Sequence, residues 1–368
     1  MIKIDRAELI VFDLPIKHPF TVSFGTITNR NAILVKLYSN GVVGYWECAS
    51  FHFPLYLPDF TAAEYLVLEK FILPAILWKS FSSPEEFVAS YQFVKWHNFA
   101  KTAVECAFWH ILAQQKNTSL TSLFWWTRTE IEAWESLWIK SSIQETIDEV
   151  QQRIDEWYKR IKVKIKRWRD VSVAEAIRSK FPSISLMLDG NSDYTLEDKE
   201  TLLSLDRFDL LMLEQPLWYD DIVDHSFLQK DMKTPICLDE SILSCSDTRK
   251  SLAIWAAKII NIKPWRVWWP LESIKIHDYC QKHGIGVWCW GMLETWIGRA
   301  FNIALASLPN FIYPADMSET LLFYNEDFVK NPYKIVDWMI DVPQTPWLWY
   351  EIDDVAIAKY TIHSQIYA

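Results

Sequence analysis

Glycine is scarce in this chain. The 368 residues include 8 glycines and 21 tryptophans, where average usage of about 7% would supply roughly 26 glycines. Few positions are therefore free to take positive φ without cost. Paired cysteines are missing too. Cys48, Cys106, Cys237, Cys245, Cys280 and Cys289 are scattered, with no C-x-x-C, which argues against a disulfide framework and for free thiols in a reducing cytoplasm. No apolar run reaches the ~18 residues of a membrane span. The start "MIKIDRAELIVF" carries charges where a signal peptide needs an apolar stretch. A net charge of −10 argues against general nucleic-acid binding. The partner this leaves is a small molecule, with a homo-oligomer compatible with the sequence.

Half the residues are hydrophobic, enough for a large core, and the length suits two domains or one large barrel with additions. The first third reads as strands, "AELIVFDL", "NAILVKLYS" and "VVGYWECAS", followed by helical patterns "TAAEYLVLEKFILPAIL" and "AKTAVECAFWHILAQQ". From about residue 130 strands and helices alternate. The strand-like runs are "IEAWESLWI", "IKVKI", "SLMLD", "LLMLE", "ICLDE", "IINIK", "GVWCW" and "FIYPA". Eight such units predict a parallel (β/α)₈ barrel, with an open doubly wound sheet as the other arrangement. The last forty or so residues break the alternation and are expected to cover the first domain.

Five apolar strands end in a charge: Lys164, Asp189, Glu214, Asp239 and Lys263, spaced by 25, 25, 25 and 24 residues. Each falls at the C-terminal end of its strand, where barrels of this kind hold their active sites. A lone Asp after a strand is ordinarily a helix N-cap. A lone lysine is ordinarily solvated, and "RIKVKIK" alone would pass for an edge strand with a wet face. Five in register on consecutive units are hard to explain that way. Three adjacent carboxylates repel unless a cation sits among them, and all-oxygen ligation suits Mg²⁺. The lysines lie four strands apart and face each other across the mouth. A carboxylate substrate held by the metal would lose its α-proton to a lysine as an enediolate forms. Lys162, on the same strand face as Lys164, supplies a neighbouring cation.

These residues resemble the o-succinylbenzoate synthase / N-succinylamino acid racemase family of the enolase superfamily, in its muconate-lactonizing subgroup. The likeness rests on "RIKVKIK", "DGNSDYTLED", "EQPL", "TPICLDESI", "IINIKP", "VWC" with "GMLET", and "GRAFNIALASLPNF", and on "PFTVSFGT", which is similar to the family's mobile substrate loop. The resemblance implies an α/β fold, a modified TIM barrel (β/α)₇β spanning 126–325. An α+β capping domain would be built from 1–125, with 326–368 returning to it. It implies Asp189, Glu214 and Asp239 as Mg²⁺ ligands, with Mn²⁺ as a substitute, and Lys164 and Lys263 as acid/base residues supported by Lys162. Asn191 and Glu240 match polar positions near the metal. Phe20, Ser23, Phe24 and Met292 match substrate contacts, though each reads equally well as an ordinary loop or core residue. The implied activity is a hydro-lyase step of menaquinone biosynthesis, dehydration of a cyclohexadiene carboxylate, or racemisation of N-acylamino acids by the same lysines.

The sequence departs from the family at sixteen tryptophans that stand where the family has glycine: Trp46, Trp96, Trp125, Trp126, Trp134, Trp138, Trp157, Trp168, Trp255, Trp265, Trp268, Trp269, Trp290, Trp296, Trp347 and Trp349. Arg167 also replaces a proline usual there. If all the tryptophans belong, the mouth is crowded and a non-catalytic barrel with an aromatic surface becomes the third reading. A codon UGA read as glycine in the host would account for the pattern. The suspect positions would then carry UGA, and Trp109 and Trp288, where the family accepts tryptophan, would carry UGG.

Overall fold

The computed structural model describes residues 1–368 except 23–24, 125–127, 157, 159, 269, 343 and 346–349, and leaves aside the side chains of Phe20, Val22 and Glu135. Of the residues discussed above, Ser23, Phe24, the Phe20 side chain, Trp125, Trp126, Trp157, Trp269, Trp347, Trp349 and the 125/126 boundary lie outside this description.

The N-terminal part is an antiparallel sheet. Strands β1 (Arg6–Val22), β2 (Gly25–Ser39) and β3 (Val42–Cys48) pair in sequence order. The turn between β2 and β3 is Asn40-Gly41, both at positive φ. This is the type I′ geometry that suits the twist of a hairpin. Helix α1 (Thr61–Val67) runs on through a wider turn at Leu68–Ile72 into Leu73–Ile76. Helix α2 (Asn98–Lys116) is buried along most of its length and packs on β3. Gly44 permits that packing, because a Cβ there would lie 2.0 Å from the Ala107 carbonyl oxygen.

Eight parallel strands follow: β4 (Glu130–Leu137), β5 (Arg160–Lys164), β6 (Ser185–Asp189), β7 (Met212–Glu214), β8 (Ile236–Leu238), β9 (Ile259–Ile262), β10 (Gly286–Cys289) and β11 (Ala315–Asp316). Each pairs with its neighbours in sequence, β11 pairs with β4, and a parallel bridge between Trp290 and Asp316 closes the ring. The crossovers carry helices α3 (Ile143–Asp155), α4 (Val171–Lys180), α5 (Lys199–Ser204), α6 (Val223–Asp231), α7 (Cys245–Ala253), α8 (Leu271–Lys282) and α9 (Trp296–Ala306). The eighth strand has no full helix after it. The chain instead adds β12 (Met339–Asp341), antiparallel to β4, and α10 (Asp354–Tyr360). Its last strand, β13 (Thr361–Tyr367), pairs with β1.

Period two along the strands sorts the barrel interior into layers. Trp134, Met187, Met212, Cys237, Ile259 and Trp288 form an apolar layer, all buried, and the Trp288 indole N–H donates to Cys237 Sγ at 3.1 Å. Two residues further along β6, β7, β8 and β10, the same inward face reaches Asp189, Glu214, Asp239 and Trp290. The charged layer is thus the next row above an apolar plug.

Candidate active site

Strand β5 turns both Lys162 and Lys164 inward, and both are buried, so "RIKVKIK" is not an edge strand. Lys164 Nζ lies 3.0 Å from Asp189 Oδ2 and 2.5 Å from Asn191 Oδ1. Below it, Lys162 Nζ bridges Asp189 Oδ2 at 2.9 Å and Glu214 Oε2 at 2.5 Å. Across the mouth, Lys263 Nζ lies 2.8 Å from Asp239 Oδ2 and 2.7 Å from the Tyr56 hydroxyl. Met292 lines the cleft between the two lysines with Phe51, Tyr56, Trp138 and Phe323. Glu240 is buried beside the group, its Oε1 3.5 Å from Asn191 Nδ2. The backbone is bent sharply where the chain leaves strands here: Asn191, Gln215 and Leu293 take φ of 42°, 33° and 59°. Such strain is concentrated at functional sites in general.

Four carboxylates, Asp189, Glu214, Asp239 and Glu240, are buried here with four cations, Lys162, Lys164, Lys263 and Arg266. Burial opposes ionisation of Asp189, but Lys162 and Lys164 outweigh it and hold its carboxyl below the usual range. Glu214 has the opposite outcome: burial and the Asp189 charge push it up to about 8 despite Lys162. Burial, with the Asp239 charge, also raises Glu240 well above the usual carboxylate value, and Glu240 Oε2 is buried without a hydrogen-bond partner. Burial lowers Lys263 against the pull of Asp239 and Glu240, and Arg266 adds to that lowering. A buried cluster of four carboxylates with Glu240 Oε2 left without a hydrogen-bond partner is an all-oxygen donor set that fits a hard divalent cation. In the structure the ammonium groups stand between the carboxylates. Among the described residues, the one His/Cys/Asp/Glu group with all ligand atoms within 4.8 Å of one another is elsewhere, at Asp59, Glu64 on α1, and His97 just before α2. There Glu64 accepts the Ala100 N–H at 2.7 Å and pairs with His97 Nδ1 at 2.6 Å, which ties down the start of α2.

The first 124 residues match, over 6–124, the mandelate racemase / muconate lactonizing enzyme N-terminal domain, and 145–356 match the enolase C-terminal domain-like family. The chain belongs to the enolase superfamily. It is 39% identical to the o-succinylbenzoate synthase of Bacillus subtilis (strain 168), over 100% of this chain and 99% of that one. It is 36% identical to the N-succinylamino acid racemase of Thermus thermophilus, over 93% of each. A solved enolase superfamily member from Listeria innocua superposes with a TM-score of 0.96 at 34% identity, covering 100% of this chain and 99% of that one.

In this enolase-superfamily chain several further groups meet the cluster that strand-end charges do not reveal. Asn261 donates to Glu214 Oε1 at 2.9 Å. It sits two residues before Lys263 on the same strand face, so period two would have found it. Arg266 pairs with Asp239 Oδ1 and donates to the Ile242 and Asn261 carbonyls. It follows Lys263 by three residues, one helical turn, which is also a readable signal. Ser136 and Asp316, from β4 and β11, bond to each other at the rim. Tyr56 comes from a loop of the N-terminal domain, and its place above Lys263 is set by tertiary packing alone. Trp290 is the largest surprise. Its ring lies 3.5 Å from Lys162 Nζ, 4.5 Å from Lys164 Nζ and 3.7 Å from Lys263 Nζ. The cleft is left with about 40 Å³ in which the centre of a water molecule fits, against about 430 Å³ in a groove beside β2.

Proposed function

We propose that this chain is a Mg²⁺-dependent o-succinylbenzoate synthase, a hydro-lyase that dehydrates 2-succinyl-6-hydroxy-2,4-cyclohexadiene-1-carboxylate for menaquinone biosynthesis. The observation that carries the reading is the pair of buried lysines that line one cleft, Lys164 against Asp189 and Lys263 against Asp239, with Glu214 joined to Asp189 through Lys162. Full-length relatives named for this activity support it. The three carboxylates would hold Mg²⁺, or Mn²⁺ in its place, which when bound supplies positive charge to the enediolate. Lys164, oriented by Asn191, would take the α-proton from the ring carbon. The electron pair then expels the neighbouring hydroxyl, which leaves as water with that proton, and the ring becomes aromatic. Lys263 would stay charged and stabilise the enediolate oxygen from the other side. Lys162, which Asp189 and Glu214 keep protonated against the effect of burial, would anchor the carboxylates rather than move a proton. Asn191 and Glu240 would orient the ligands, and Met292 would contact the substrate.

The second reading, racemisation of N-succinylamino acids, is favoured by the same opposed lysines, since one can remove a proton from either face and the other return it. Protein isolated from its source cells, given Mg²⁺, is expected to dehydrate the cyclohexadiene carboxylate, followed by loss of diene absorbance. Chelation should stop the reaction. Racemisation without dehydration would transfer the assignment to the second reading, and neither activity would sink both.

A further inference from the structure

Six tryptophans sit in the left-handed backbone region: Trp78, Trp96, Trp168, Trp255, Trp268 and Trp338, with φ between 55° and 70°. Among the described residues they make up six of fifteen non-glycine positions at positive φ, alongside the Asn and Asp residues that tolerate it. Two of them have matched controls in the same chain. Helix α8 ends in a Schellman motif: Gly284, φ 69°, donates its N–H to Gln281 O, and Ile285 N–H reaches Cys280 O. Helix α7 ends in the same two bonds, Trp255 N–H to Leu252 O and Ala256 N–H to Ser251 O, with Trp255 at φ 60° in the glycine place. The β2–β3 hairpin turns on Asn40-Gly41. The hairpin closed by Val336 and Met339 turns on Asp337-Trp338, φ 50° and 55°, where the same turn calls for Asp-Gly. Several of these side chains gain little burial in return. Trp168 is 93% exposed and Trp255 78% exposed, while the indole N–H groups of Trp46, Trp134 and Trp265 are buried with no hydrogen-bond partner, as is that of Trp109. Trp288, by contrast, satisfies its N–H on Cys237.

We propose that the polypeptide made in the source organism carries glycine at positions 78, 96, 168, 255, 268, 338 and 290, through a genetic code that decodes UGA as glycine. Backbone geometry carries the first six, two of which, 78 and 338, the family comparison of motifs does not single out. Position 290 is carried by occlusion, since its indole fills the space between Lys164 and Lys263. This last part rests on the proposed function, and it makes the space now taken by the indole the seat of the substrate. Peptide mass mapping of the protein isolated from its source cells tests the assignment. Glycine masses at 255, 338 and 290 and a tryptophan mass at 288 are expected, with UGA codons at the first three and UGG at the fourth. Tryptophan masses at 255 and 338 would overturn the proposal, and a tryptophan at 290 alone would overturn its extension to the mouth. The masses do not depend on activity. Glycine at all three with no dehydration would remove the proposed function and leave this inference standing.

Discussion

Glu47 lies at the seam between the sheet and the barrel, fully buried, with Thr295 Oγ1 donating to it at 3.0 Å and the Gly298 N–H at 3.1 Å. Burial pushes its carboxyl up to about 7 from 4.5, against the pull of Arg30 and with the help of Glu294. The folded protein therefore holds a proton that the unfolded chain has lost. The contribution to stability is complete below pH 4.5 and disappears as pH rises through 7, about 3 kcal/mol in all. Glu47→Gln should flatten this fall. Urea midpoints at pH 5 and pH 8 check it, and an unchanged difference between the two would refute it. A second residue-scale test uses Trp255→Gly. The left-handed conformation costs a residue with a Cβ roughly 1–2 kcal/mol, so the exchange should raise stability by about 1 kcal/mol. A lower denaturation midpoint in the variant would contradict the reading of that helix end. Individual residues were legible in the sequence where chemistry recurs at a fixed step. Lys164, Asp189, Glu214, Asp239 and Lys263 stood out because the step equals one βα unit. Tyr56 did not, since neither a period nor a charge marks it, and Ser136, on the inward face two residues after Trp134, carries no charge to draw attention to it.

At the scale of elements, the strand ends do most of the positioning: β5, β6, β7, β8 and β9 each bring at least one charged side chain to the cluster. The loop around Tyr56 is the exception, because it reaches the barrel from the other domain. Its hydroxyl accepts from Lys263 and lies 3.3 Å from Asp239 Oδ2. Tyr56→Phe should lower kcat roughly tenfold, the worth of one hydrogen bond to a charged group, and leave Mg²⁺ affinity within a few-fold. Steady-state kinetics with metal titration separate the two, and an unchanged kcat would remove Tyr56 from the site. Boundaries of elements were less legible than their existence. "TAAEYLVLEKFILPAIL" reads as one helix but is broken by the wide turn at Leu68–Ile72, just ahead of Pro74, which cannot donate to the helical ladder. Of "FIYPA" only Ala315 enters the eighth strand, which is Ala315–Asp316, because Pro314 has no N–H to give the sheet.

At the scale of the whole molecule, the alternation after residue 130 was enough to read a parallel barrel, and the ring closes as the eightfold count requires. The sheet-on-barrel arrangement was less legible, since contacts such as Glu47 to α9 and Tyr56 to Lys263 join residues more than two hundred positions apart. The tryptophans expose the limit most plainly. Six left-handed indoles at roughly 1–2 kcal/mol each would consume most of the ~5–15 kcal/mol by which a domain is stable, and no sequence period announces that conflict. The central claim is that two opposed lysines do the chemistry over a carboxylate floor. It is tested most directly by the dehydration rate of Lys164→Ala and Lys263→Ala beside the parent enzyme, with circular dichroism and Mg²⁺ binding as controls. Loss of the base at Lys164 should cost up to about 10⁴-fold, and loss of the Lys263 charge beside the enediolate about 10²- to 10³-fold, so both variants should fall at least about a hundredfold while staying folded. A variant of either lysine that keeps the parent rate would contradict the account.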